Sequence, residues 1–453
     1  MKRFTVLLLF GITIALTGCI NNENNEFEET NSWIRESMQE NYLWNELVPE
    51  KTNGVLHPGT YFGSLLAPND FFSYIIDDAD LVIESDFGVR FNTGASPFFG
   101  KFSNSNRVFS IIEYVYPNSS ADSAGLQRGD IIIEVNDIQL STFNFLELFY
   151  SSSANISYTL GETNQAQTTI VSTGEVVNLI QEQVQRNPVV YTDVIEEGSS
   201  KIGYLFYAEF LSGENDKYLD SVDVEIQNMK AQGVTDLIVD LRYNPGGDFS
   251  AAENLANVIV APSAAQNEEV FVRFQYNDII QQRITEEEGP DSQNLVRRFA
   301  QDPDNLGLND VYFLTTNGTA FTSELLINGL IPHMNVTLIG EPTSGELFGS
   351  TVIRGKNASP PVEFSIVPIN LEYENAEGAT NLVFGLQPDV EISNDLLNAS
   401  QIGDINDPAL DAAIDLIAGR ASSSKVVIKK YKMLEDIKAK RRGSILFDQK
   451  NKN

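Results

Sequence analysis

One cysteine, two histidines and 30 basic residues against 63 acidic ones are what this 453-residue sequence offers to disulfides, metals and phosphates, and each shortage closes a class of function. With Cys19 alone there is no internal disulfide framework, and with only His57 and His333, far apart, no Cys/His zinc site is expected. Both histidines read as structural. The formal charge of −33 argues against nucleic acid as a partner, because a phosphate binder needs a basic face to displace counterions. Nothing indicates a metal, nucleotide or redox cofactor. Long hydrophobic runs are also scarce: the one from Phe4 to Leu16 holds 13 residues, too few to span a bilayer comfortably as a permanent helix. What remains, 42% apolar and 21% charged, is the composition of a globular protein, and the length allows about two to four domains.

The short apolar run follows Lys2 and Arg3 and ends in "LTGC", so residues 1–18 read as an export signal. "LTGC" resembles the bacterial lipobox, whose cysteine becomes the lipidated first residue, and Cys19 stands at that place. Residues 19–30 then form a polar tether, and the expected location is extracytoplasmic, lipid-anchored to the bacterial cell envelope at the outer membrane, facing periplasm or surface.

Residues 31–83 open with Trp33, Ile34, Met38, Leu43, Trp44 and Leu47 at roughly helical spacing before Pro49, a helical segment that docks on something larger. Between 84 and 175 short strands alternate with polar loops. "SADSAGLQRGDIIIEVNDI" is similar to the phrase of bacterial, circularly permuted PDZ domains. That resemblance implies a loop at Phe87, Gly88, Val89 and Arg90 whose backbone N–H groups capture a peptide's terminal carboxylate while the peptide adds as a strand to a sheet edge.

From 176 to 420 strands and helices alternate, implying a layered sheet with helices packed on it. "KIGYLFYAEF" is a strand, "NDKYLDSVDVEIQNMKAQG" a helix closed by Gly233, and "VTDLIVDLRYNPGG" a buried strand with a sharp turn. "QYNDIIQQRITEEEGPDSQNLVRRFAQDPDN" reads as an excursion from this core. Residues 421–453 flip in composition, with ten basic and three acidic residues, and read as a flexible basic tail that folds back on the acidic body or touches a partner.

"YLW", the PDZ phrase, "KIGYL", "DLRYNPGG", the "SE" helix, "LIGEPTSG" and "GLQPD" occur in one order over nearly the whole mature chain. Together they resemble the tail-specific, or carboxy-terminal processing, serine peptidases. The resemblance implies an α/β multi-domain fold: an N-terminal helical segment, a β-rich PDZ-like domain and an α/β layered, crotonase/Clp-protease-like core that cleaves peptides with a Ser–Lys dyad. A serine at a helix start would lose its proton to a desolvated lysine, and backbone N–H groups would hold the oxyanion. By resemblance those donors are Gly246, Gly247 and the amide of Thr322.

This chain departs from the pattern at both dyad positions. Where the family reads "TASASE" it reads "TAFTSE", placing Phe321 at the nucleophile, and where the family ends "T.GK" it has "TSGE", placing Glu346 at the base. Four residues on, Ser350 replaces an assisting glutamine. A phenyl ring cannot attack a carbonyl. Ser323 offers a displaced hydroxyl, but on a helix it points about 200° around the axis from Phe321, away from the old site. The reading is therefore a family member that has lost hydrolysis and kept recognition of polypeptide C-termini, held to the membrane through its lipid. The rival is a working serine endopeptidase using a displaced nucleophile such as Ser323. A third possibility, an oligosaccharide or other non-peptide ligand in the core cleft, has no particular support in the sequence.

Overall fold

The computed structural model describes residues 27–50, 54–77, 89–102, 105–380 and 384–448. The expected signal segment, Cys19 and most of the tether lie outside them. The first helix, Glu28–Asn41, buries Ile34 and Met38 on one face and stops at extended Tyr42, so the expected N-terminal helix is broken before a short 3-10 turn at Asn45–Leu47. With helix Pro58–Gly63 it encloses Tyr42, Tyr61 and Phe62 against Ile366 and Ile369 of the core.

A six-stranded sheet forms the centre, in the order Val189–Glu197, Ser200–Tyr207, Asp236–Asp240, Asp310–Thr315, Asn335–Gly340, Val390–Glu391. Its first pair is antiparallel and the rest are parallel. Side chains alternate along a strand, so both faces need cover. Leu205 and Tyr207 face helices Lys217–Gln232, Phe249–Ile259 and Thr322–Leu330. Ile202, Tyr204 and Phe206 face helix Pro408–Ile417 and the PDZ-like sheet. Helix Lys217–Gln232 ends where Gly233 turns left-handed at φ 75°, the conformation that makes glycine the natural stop there.

The stretch expected as an excursion is instead regular. Strands Val270–Tyr276 and Val296–Arg298, joined by helix Asp278–Glu288, belong to a second sheet, where Val270–Tyr276 pairs with Ile369–Asn375. That sheet also holds Tyr74–Asp77, Phe348–Arg354 and Phe364–Val367.

The PDZ-like sheet contains Ala95–Phe102, Phe109–Val115, Ile131–Val135, Asn155–Thr163 and Ile170–Ile180, the last running across the expected boundary at 175/176. A buried ion cluster ties it to the core. Arg242, just past strand Asp236–Asp240, lies 2.6 Å from Asp240 and 2.9 Å from Asp407, and Arg128 of the "QRGD" turn lies 3.8 Å from Asp407. Burial works to raise the Asp407 carboxyl, but Arg242 and Arg128 hold it below its ordinary value.

The basic tail folds back on the acidic body. Lys425 pairs with Asp411 at 3.2 Å and Lys429 with Glu341 at 2.6 Å. Beyond them strand Tyr431–Leu434 joins the edge of the PDZ-like sheet, helix Ile437–Gly443 follows, and strand Ile445–Asp448 pairs in parallel with Phe348–Arg354.

Candidate active site

Strand Asp310–Thr315 leads through a tight turn into helix Thr322–Leu330, all of whose residues are buried. The turn is pinned from within: Thr319 Oγ1 accepts the Thr316 N–H at 3.0 Å and donates to the Leu241 carbonyl at 2.8 Å. At its tip Phe321 adopts φ 47°, ψ −109°. Such a backbone costs a residue with a Cβ on the order of 1–3 kcal/mol and is the strand-to-helix elbow that lifts a nucleophile out of its surroundings. Here the elbow carries a ring with no exposed surface.

That ring packs edge-on against Phe72 of the N-terminal segment, centroids 5.2 Å apart and planes at 89°. Below it, a Cβ on Gly246 would fall 2.8 Å from the Phe321 Cβ and 2.5 Å from the Gly443 carbonyl, so only glycine, at φ 105°, fits between elbow and tail. The Tyr373 hydroxyl lies 2.9 Å from the Phe321 carbonyl and 3.0 Å from that of Glu346, joining the two expected dyad positions through one side chain.

The Gly246 N–H donates to Asn244 Oδ1 at 2.9 Å, and the Gly247 N–H donates to Thr322 Oγ1 at 3.2 Å. Thr322 in turn donates its hydroxyl proton to the Gly247 carbonyl at 2.5 Å. An oxyanion hole works when its donors aim at open space where charge will develop. Two of the three expected donors are instead occupied by side chains of the same chain.

Glu346 is half-buried. Its Oε1 lies 3.5 Å from Lys440 Nζ of the tail helix, which also pairs with Glu435 at 2.7 Å. Burial raises the Glu346 carboxyl and Lys440 opposes the shift. Its N–H donates to Glu324, which also accepts from Thr343 Oγ1 at 2.5 Å and from the Gly345 N–H at 2.7 Å. Burial pushes the Glu324 carboxyl up to about 7 against those three donors. Glu324, the acid of the "SE" signature, thus clamps the loop bearing Glu346, the second expected dyad position. Ser350 is occupied by the tail, its N–H donating to the Ser444 carbonyl at 2.8 Å and its Oγ lying 3.2 Å from that of Ser444.

Ser323 is fully buried and donates its hydroxyl to the Asn244 carbonyl at 3.1 Å. His57 accepts the Gly59 N–H at a helix start, while His333 lies 2.8 Å from Glu269 and 2.9 Å from the Val270 carbonyl. Phe87 and Gly88 of the expected carboxylate loop lie outside the described residues. Val89 and Arg90 open strand Val89–Asn92, whose backbone pairs antiparallel with Glu182–Gln185.

A cavity of about 920 Å³ lies between the PDZ-like sheet, the core and the tail, lined among others by Phe98, Glu113, Tyr243, Pro245 and Lys438. Neither Phe321 nor Glu346 lines it. Lys440, Phe72 and Tyr373 are not visible as site residues in the sequence: Phe72 and Tyr373 reach the elbow and Lys440 reaches Glu346, all from distant segments, and only Phe72, in the aromatic-rich "NDFFSY", carries any local signal.

Residues 201–392 match Peptidase family S41, residues 29–74 the Peptidase S41 N-terminal domain and residues 111–147 a PDZ domain. The chain is similar to a carboxyl-terminal-processing protease of Picosynechococcus sp., 23% identical over 316 residues, covering 69% of this chain and 68% of that one. It is also similar to a chloroplastic C-terminal processing peptidase of Tetradesmus obliquus, 23% identical over 298 residues, covering 62% and 56%. Among solved structures, an S41 protease from Bacteroides fragilis superposes with a TM-score of 0.68 at 24% identity, covering 86% of this chain and 98% of the other. The photosystem II D1 C-terminal processing protease gives 0.52 at 18% identity, covering 81% and 93%. Both share the fold.

Proposed function

The chain belongs to peptidase family S41, the carboxyl-terminal processing or tail-specific peptidases, and from that premise we propose that it is a pseudopeptidase: a reader of polypeptide C-termini in the bacterial cell envelope that has lost hydrolysis. The observation that carries the reading is the buried Phe321 ring at the elbow, where the reaction needs a hydroxyl. Glu346 at the base position, paired with Lys440, supports it, as do the occupied N–H groups of Gly246 and Gly247. The rival nucleophile Ser323 is tied to the Asn244 carbonyl of the turn that follows strand Asp236–Asp240.

Recognition rests on the PDZ-like domain. A peptide ending in an apolar residue with a free carboxylate is expected to bind more tightly than its C-terminal amide, by about tenfold, because a charge-assisted contact to backbone donors is lost. Calorimetry on the purified chain tests this, and equal affinities for the two forms would contradict it.

Envelope location rests on "LTGC". Mass spectrometry is expected to find the mature chain beginning at an acylated Cys19, and Cys19→Ala is expected to release the protein from the membrane fraction. An unmodified terminus elsewhere would refute the anchor.

A further inference from the structure

In the PDZ-like sheet the outer side of strand Ala95–Phe102 is covered. Strand Ala95–Phe102 is paired on one side with Phe109–Val115 and on the other, antiparallel, with Tyr431–Leu434 of the tail. The register is Tyr431 opposite Phe102, Lys432 opposite Lys101, Met433 opposite Gly100 and Leu434 opposite Phe99. This is how an extended peptide augments a sheet, with the main chain giving adhesion and pockets reading the side chains. The pockets are there. Leu434 packs on the cluster containing Phe99 and Phe149, the latter on helix Phe145–Phe149, and the Tyr431 ring meets Phe98 and Phe109 edge-on, with centroids at 5.7 and 5.8 Å.

The segment then continues to the elbow. Asp436 accepts from the Tyr150 hydroxyl and caps helix Ile437–Gly443 through the N–H groups of Lys438 and Ala439. Lys440 reaches Glu346 and lies 5.8 Å from the centre of the Phe72 ring that covers Phe321. Gly443 sits so close to the Pro245–Gly246 turn that a Cβ on it would fall 1.8 Å from the Pro245 carbonyl. The last strand, Ile445–Asp448, pairs beside Ser350. One stretch of chain therefore runs from the sheet edge across the nucleophile position to the far side of the cleft.

We propose that residues 431–448 are an internal ligand: they occupy in cis the sheet edge and cleft route that an incoming polypeptide would take, and a client must displace Tyr431–Leu434 to bind. The proposal rests on the reading of this domain as a peptide reader. It adds that the reader is occupied, and that its ligand is an extended segment with apolar side chains at the places of Tyr431 and Leu434. A tethered segment competes at an effective concentration in the millimolar range, so even weak intrinsic affinity masks the groove.

Hydrogen exchange on the full chain and binding to the full chain and a Leu434→Asp variant test this together. The amides of 431–434 that point at Ala95–Phe102 are expected to be protected in the natural chain and to lose protection in the variant. The variant is expected to bind an apolar-ended, free-carboxylate peptide about tenfold or more tightly than the natural chain. Free exchange at those inward-pointing amides in the natural chain overturns the proposal without recourse to any variant. Measurable but equal peptide affinities also overturn it, and if the preference for acid over amide persists, C-terminus recognition stands. If neither protein binds that peptide while the variant alone binds a synthetic Lys429–Ile437 segment, the internal ligand stands and C-terminus recognition falls. A variant that binds neither peptide overturns both.

Discussion

Changing both expected dyad positions together, Phe321→Ser with Glu346→Lys, in a chain whose tail strand is undocked by Leu434→Asp, is expected to raise cleavage of an unfolded polypeptide by up to about a hundredfold over either single change. The figure follows from two opposing magnitudes. Removing a serine nucleophile and its base costs on the order of a millionfold in turnover, and the parts act as one unit, so neither restored alone recovers anything. Against that stands the hole. With the Gly246 and Gly247 N–H groups donating to Asn244 and Thr322, stabilisation worth about a hundred- to a thousandfold per donor is not at hand, so recovery stops well short of a working enzyme. With the tail docked, a new lysine at 346 would also face Lys440, now 3.5 Å from the Glu346 carboxylate. Initial-rate assays on the singles, the pair, and the pair with and without Leu434→Asp give the comparison. Equal rates for the pair and the better single would show that Phe321 and Glu346 are not the dyad positions.

The largest stability effect is expected at Arg242. Its guanidinium is 3% exposed, between Asp240 at 0% and Asp407 at 4%, and the Tyr204 hydroxyl donates to Asp240 at 2.7 Å. Arg242→Met keeps the length of the side chain and removes the charge, leaving two buried carboxylates with Arg128, 3.8 Å from Asp407, as the remaining ionic partner. Breaking a buried ion pair by deleting one member costs about 3–5 kcal/mol, because the other charge stays desolvated. Urea unfolding should show the midpoint falling accordingly. Arg420 provides the contrast: it pairs with Glu197 and Asp415 but is 48% exposed, and Arg420→Met is expected to leave the midpoint nearly unchanged because solvent already screens those pairs. A small effect at Arg242 would mean that water or another cation reaches the cluster. Since Arg128 belongs to the PDZ-like domain, loss of the cluster should also loosen that domain from the core.

The sequence carried the order of the parts because each part has a local signature. The alternating strand "KIGYLFY", the helix ending at Gly233 and the sharp "NPGG" turn are dictated by residues close together in the chain. The substitution at Phe321 was legible for the same reason. What escaped was non-local. "QYNDIIQQRI" looks like an insertion until Val270–Tyr276 meets Ile369–Asn375, almost a hundred residues away. The tail's "YKML" is too short and too charged to declare itself a strand, and becomes one only against Phe99–Phe102. The donors expected of Gly246 and Gly247 were inferred from a motif, whereas their engagement depends on how the side chains of Asn244 and Thr322 turn.

Whether the natural chain hydrolyses peptide bonds separates a pseudopeptidase from a working peptidase. The direct measurement is cleavage of an unfolded protein by the purified full chain, followed by mass spectrometry of the products, beside the Ser323→Ala and Leu434→Asp variants. No products above the buffer control from any of the three is the predicted result, since undocking the tail uncovers an elbow that still carries a phenyl ring. Cleavage by the natural chain that disappears in Ser323→Ala would contradict it and assign the chemistry to the displaced serine.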